Sequence, residues 1–106
     1  MLELKEGPKG KITGIIQDTN RLTATIAPDI KGPLTDVLKQ QGINVVLNLE
    51  NIKFIDSTGI GVLISALKTA RQHNSSFALC SVQKDVMSLL KLMKLDQIFD
   101  FSKSDC

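Results

Sequence analysis

Apolar residues recur at helical spacing in three segments of the chain. One stripe occupies positions 30, 34, 37 and 38, a second occupies 60, 63, 64 and 67, and a third occupies 86, 89, 90 and 93. Such spacing predicts amphipathic α-helices whose apolar faces pack on a core. The second stripe is the most regular, and we expect its helix to open at Ser57 and to end at Asn74-Ser75.

Short apolar runs lie before, between and after the stripes and predict strands. These runs cover residues 2–6, 11–17, 45–49, 77–80 and 98–101. The resulting order is β-β-α-β-α-β-α-β. Because strands alternate with helices, the pattern favours an α/β fold with a mixed, mostly parallel sheet of four to five strands and three main helices.

Two stretches have more than one interpretation. Gly32 and Pro33 lie inside the first stripe, where proline costs about 3 kcal/mol in a helix interior. We therefore expect either a kink at Gly32 or a regular helix that starts at Pro33. Residues 52–55 either extend the strand at 45–49 or line the edge of the core.

Length and composition indicate one domain over residues 1–106, ending in a loose tail at 103–106. The net charge of +2 is nearly balanced, and the chain has four Phe but no Trp or Tyr. It therefore offers neither a basic face nor aromatic platforms for nucleic acid. It has no apolar leader and no run near the roughly 18 residues of a membrane span, so we expect a cytoplasmic protein without membrane insertion.

Metal or cofactor chemistry is not expected. Cys80 is predicted as a buried strand residue and Cys106 as part of the free tail, and they form no CxxC pair. His73 is the single histidine, so no metal-ligand spacing arises.

The tetrapeptide Asp56-Ser57-Thr58-Gly59 is the strongest candidate for a functional site, because it joins a predicted strand to a helix. Ser57 is predicted at the N-cap, with its hydroxyl accepting a backbone N–H. Gly59 has no side chain and is expected to leave the turn open to a partner. A phosphate here would add about −1.5 to −2 charges at the positive end of the helix. A plain structural cap is the alternative.

Longer stretches around this turn carry a family resemblance. VVLNL at 45–49 and FIDSTGIGVL at 54–63 closely resemble the STAS domain of sulfate transporters and anti-sigma-factor antagonists. NRLTATIAPDI at 20–30 resembles the segment that leads into the first helix of that family. The resemblance extends from about residue 11 to residue 101 and implies the antagonist type.

The resemblance implies a partner-switching function. The unmodified form would bind an anti-sigma factor that is also a GHKL-type serine kinase, and thereby release a sigma factor. Phosphorylation at Ser57 would switch binding off, and a PP2C-type phosphatase would reverse it. Thr58 is a second potential acceptor. The implied partner-binding residues are Thr23, Asp56, Ser57, Thr58 and Gly59.

Two alternatives accompany that interpretation. In the first, the chain serves as a STAS docking subunit, not phosphorylated, of an ABC lipid transporter or a stress-signalling scaffold. Thr23 stands where many antagonists have an acidic residue, so it either contacts the partner without charge or caps the start of the first helix.

Catalysis is not expected. A hydrolase needs a base within reach of its nucleophile, but His73 lies about 16 residues, or roughly 24 Å, along the helix that Ser57 opens. Gly59-Ile60-Gly61 lacks the spacing and the Lys of a P-loop.

A second apolar set accompanies the third stripe. It consists of Met87, Leu92 and Leu95, which pack in the core or form a self-association patch that supports a weak homodimer.

Overall fold

Residues 1–102, which the computed structural model describes, form seven strands and three α-helices. The strands are β1 (Leu2–Glu6), β2 (Lys11–Ile16), β3 (Arg21–Leu22), β4 (Asn44–Asn48), β5 (Phe54–Ile55), β6 (Ser76–Cys80) and β7 (Asp100–Phe101). The helices are α1 (Ala27–Leu38), α2 (Ser57–Gln72) and α3 (Lys84–Leu92). The predicted tail at 103–106, with Cys106, lies outside the described residues. Cys80 is buried in β6, as predicted.

Five of the strands in this part of the chain form one sheet in the order β1-β2-β4-β6-β7. β1 pairs antiparallel with β2, and the other neighbouring strands pair parallel. The predicted α/β class and the mixed, mostly parallel sheet are thereby confirmed. Because parallel strands end at the same edge, the segments that follow β2, β4 and β6 emerge together.

The core lies between the sheet and the apolar faces of α1 and α2, which pack against each other. Alternate side chains of the central strands point into it: Ile12, Ile16, Val45, Leu47, Phe77 and Leu79. The first two helices contribute the predicted stripe positions Ile30, Leu34, Val37, Leu38, Ile60, Leu63 and Leu67. Burying a large apolar side chain contributes about 1.5–3 kcal/mol, so this layer holds both helices against the sheet.

A second, two-stranded sheet lies beside the main one. β3 pairs parallel with β5, with Arg21 opposite Phe54 and Leu22 opposite Ile55. Residues 54–55 therefore do not extend β4, and that interpretation was wrong. The alternative is confirmed, because Ile52 and Ile55 are buried in the core cluster. This pairing brings the chain after Leu22 next to the start of α2.

The first helix begins earlier than predicted. It starts at Ala27 and runs through Gly32, so the expectation of a regular helix starting at Pro33 was wrong. The alternative, a kink at Gly32, stays a prediction. Pro28 lies in the first turn, where a missing N–H costs nothing, whereas Pro33 lies inside the helix. Gly32 eases this placement, because it lacks the Cβ that clashes with a following proline ring in helical conformation.

The C-terminal region departs from the prediction at two points. The last strand, β7, covers only Asp100–Phe101 of the predicted strand at 98–101. A 3-10 helix at Leu95–Gln97 precedes it. Leu92 is 81% exposed and does not pack in the core. Leu95 packs against the core, and Met87 is half-buried. Self-association through Leu92 stays a prediction.

Replacing Pro33 by Ala is expected to raise the free energy of unfolding by about 1–3 kcal/mol. The new N–H can donate to the carbonyl of Asp29, one turn earlier in α1. Pro28→Ala is the matched control and should stabilise less, because proline is favoured in the first turn of a helix, where its fixed φ is already helical. Urea unfolding of the three proteins measures both changes. A less stable Pro33→Ala variant would contradict this account of α1.

Candidate functional site

The start of α2 is capped by Asp56, and the prediction that Ser57 is the N-cap was wrong. Asp56 has extended backbone angles, and its Oδ1 accepts the N–H of Gly59 at 2.8 Å. Ser57 is already the first helical residue. The cap therefore lies one position earlier, and the Ser57 hydroxyl is not needed to hold the helix end.

The Asp56 carboxylate also bridges two distant segments. Its Oδ2 accepts the backbone N–H of Ala24 at 3.2 Å, across 32 positions of sequence. The N–H of Gly59 lowers the pKa of Asp56 below its ordinary value of 3.8. Partial burial opposes this shift, and the N–H groups of Ala24 and Thr58 lower the pKa further. Asp56 is therefore an ionised structural residue at neutral pH.

Ser57 and Thr58 are both exposed on the first turn of α2. Neither side chain makes a hydrogen bond to any of the described residues. Nearby backbone N–H groups of a helix start favour an anion. The two hydroxyls are therefore accessible for modification.

Gly59 faces the interior, so the expectation that it opens the turn to a partner was wrong. It is buried, and a Cβ on it would lie 2.1 Å from the carbonyl oxygen of Leu22 and 2.7 Å from Ile55. The absence of a side chain lets the backbone of β3 approach α2 closely. Gly59 therefore shapes the site from within and is not a contact surface.

Thr23 lies beside the turn, because the next residue, Ala24, donates to Asp56. The carbonyl of Thr23 accepts the backbone N–H of Ile26 at 3.1 Å and that of Ala27 at 2.8 Å. These two bonds form a helical turn before α1. The N-cap of α1 is Ile26, so the expectation that Thr23 caps that helix was wrong. Thr23 is thus half-buried, directly precedes the residue that donates to Asp56, and has no capping role.

A groove between the first turns of α1 and α2 completes the site, and sequence analysis missed it. Its volume is about 440 Å³, and its lining residues are Ala24, Ala27, Pro28, Lys31, Thr58, Gly61 and Val62. These residues come from two segments about 30 positions apart, and they form no contiguous motif. We refer to this surface as the α1–α2 groove.

His73 follows the last residue of α2, at the opposite end from Ser57. No group of three His, Cys, Asp or Glu among residues 1–102 could hold a metal ion. None of the described helices has the length and apolar character to cross a membrane.

Comparison with known proteins identifies the family. Residues 9–104 match the STAS domain, so the chain belongs to the STAS domain family. It is 27% identical over 99 residues to the anti-sigma-B factor antagonist of Listeria monocytogenes, an alignment that covers 93% of this chain and 85% of that protein.

Solved structures show the same fold. An anti-sigma-factor antagonist domain protein from Planctomyces limnophilus superimposes with a TM-score of 0.87 at 19% identity, covering 98% of this chain and 91% of that one. The Bacillus cell fate determinant SpoIIAA, in its phosphorylated form, gives a TM-score of 0.73 at 12% identity, with 98% and 93% coverage.

Gly59→Ala is expected to lower the free energy of unfolding by about 2 kcal/mol or more, because the new methyl overlaps the backbone of β3. Gly61→Ala is the matched control in the same helix. A Cβ at Gly61 meets nothing within 4 Å, so this variant should gain about 0.5–1 kcal/mol. Urea unfolding compares the two. Equal effects would contradict the close approach at Gly59.

Asp56→Asn is expected to destabilise the protein at neutral pH and to lose that effect in acid. The folded state lowers the pKa of Asp56, so the ionised carboxylate stabilises the fold above pH 3.8. That contribution disappears as the pH falls through the folded-state value. Asn can still accept from Gly59 but does not titrate.

The measurement is the difference in urea midpoint between wild type and Asp56→Asn, followed from neutral pH to below 3.8. The two proteins differ only at position 56, so the difference isolates Asp56. A difference that stays constant across this range would contradict the assigned role.

Proposed function

We propose that this protein is an anti-sigma factor antagonist switched by phosphorylation at Ser57. The unmodified form binds an anti-sigma factor that is also a GHKL-type serine kinase, and this releases a sigma factor in the cytoplasm. The kinase modifies Ser57, binding is lost, and a PP2C-type phosphatase restores it. The protein itself acts by binding and not by catalysis.

At the start of α2, the capping group and the exposed hydroxyl belong to different residues, and this observation carries the proposal. Asp56 holds the helix end, which leaves Ser57 exposed and without a hydrogen bond to the described residues. A serine with a capping role would have its hydroxyl bonded to the helix backbone and would have to give up that bond to react. Here the fold does not depend on the hydroxyl.

A phosphate on Ser57 changes the surface more than the fold. It adds about −1.5 to −2 charges next to the ionised carboxylate of Asp56, whose pKa is lowered. The positive end of the helix dipole tolerates these charges. A partner that packs on the neutral turn then meets repulsion and must desolvate a strongly charged group.

The phosphoryl transfer requires no catalytic group from this chain. The γ-phosphoryl of ATP passes to the Ser57 oxygen, ADP leaves, and the kinase takes the hydroxyl proton. Asp56 is a poor general base for two reasons. Its pKa is lowered, and its carboxylate oxygens already accept the N–H groups of Gly59 and Ala24. The phosphatase later returns the free hydroxyl by hydrolysis.

The proposed partner surface comprises Ser57, Thr58, Asp56 and Thr23. Its support is the hydrogen bond from Ala24 to Asp56, which joins the segment after β3 to the start of α2. Relatives named anti-sigma factor antagonists add further support. Thr58 lies next to Ser57 and is also exposed, so it is a second candidate acceptor.

Ser57→Asp is expected to leave the fold intact and to weaken binding to the serine-kinase anti-sigma factor by at least about tenfold. The matched control is Ser88→Asp, which adds the same charge to an exposed serine of α3. Calorimetric titration measures binding, and circular dichroism measures the fold. Wild-type affinity in Ser57→Asp would show that charge at this turn is not the switch.

A further inference from the structure

Gly61 has no structural reason within the described chain to be glycine. A glycine inside a helix costs about 0.5–1 kcal/mol relative to Ala. Gly59 is required by its contact with Leu22, and Gly32 precedes a proline. A Cβ at Gly61 would instead meet nothing within 4 Å, and the residue is exposed at the α1–α2 groove. The open space over Gly61 is consistent with a surface that another molecule covers.

The chemistry of the groove is mostly apolar with a single charge. Ala24, Ala27, Pro28 and Val62 contribute small apolar surfaces. Of the described residues that line it, Lys31 alone carries an ionised side chain. A nucleotide or a free phosphate would require several donors, so this lining favours an apolar group with one neighbouring anion.

We propose that the α1–α2 groove receives an apolar side chain of the anti-sigma factor, and that Lys31 pairs with a carboxylate beside that side chain. This proposal rests on the proposed function and names the partner chemistry that the site recognises. Thr58 lines the groove and directly follows Ser57, so the groove is continuous with the proposed partner surface.

The same arrangement explains how one phosphate can release the partner. A phosphate on Ser57 adds negative charge at the residue next to Thr58, which lines the groove. That charge repels the partner's carboxylate and opposes its pairing with Lys31. Lys31 is thus a specificity-determining residue, because its positive charge favours the complex in which Ser57 is unmodified.

The first test fills the groove. Gly61→Leu places a side chain into open space, so the fold should persist while binding to the purified serine-kinase anti-sigma factor weakens by about tenfold or more. Gly61→Ala should give a smaller loss, in proportion to its volume. Gln72→Leu is the matched control, because it adds an exposed leucine near the other end of α2.

The second test reverses the charge. Lys31→Glu should weaken binding by about tenfold or more, and the salt dependence of the dissociation constant should decrease. Lys68→Glu is the matched control, since Lys68 is an exposed lysine of α2 outside the groove lining. Thermal unfolding and circular dichroism of every variant establish that each protein is folded.

The outcomes separate the groove from the switch. Selective loss of binding in Gly61→Leu and Lys31→Glu, with both controls close to wild type, supports the groove. If Ser57→Asp blocks binding but Gly61→Leu and Lys31→Glu bind as wild type, the groove proposal is overturned and the switch stands. If the wild-type protein binds no serine-kinase anti-sigma factor of its own genome, both are overturned.

Discussion

The carboxylate of Asp56 is the interaction on which the site depends. One oxygen caps α2 through Gly59, and the other holds the segment after β3 through Ala24. Both bonds are charge-assisted, and they explain the lowered pKa. One side chain therefore fixes the helix start, positions the neighbouring segment, and leaves the Ser57 hydroxyl without a structural task.

A close backbone contact reinforces this arrangement. Gly59 lets the carbonyl of Leu22 lie against α2, and the β3–β5 pairing holds that strand in register. Because β3 and β5 run parallel, the segments that follow them meet at the same end of this pair. The helix start, the segment containing Thr23 and the α1–α2 groove are therefore positioned by packing and backbone bonds, so a charge added at Ser57 acts mainly on the surface.

The sequence predicted the architecture but not the local geometry of the site. Long apolar stripes specify helices, and their alternation with strands specifies the sheet. The β3–β5 pair was not predicted, because a strand of two residues is too short to show an alternation of apolar and polar positions. Asp56 and Ser57 are both good N-caps, so composition alone does not decide between them. The inward orientation of Gly59 depends on Leu22, and the groove joins two segments about 30 positions apart, so neither leaves a local signal.

The central claim is that Ser57 is a phosphorylated switch residue in the cell. Mass spectrometry of the protein isolated from its native cells, with phosphate localised to single residues, tests it most directly. The account predicts phosphate on Ser57 at measurable occupancy, resolved from Thr58. Complete coverage of this peptide without phosphate, under several growth conditions, would contradict the switch and leave Ser57 as an unmodified residue of a docking protein.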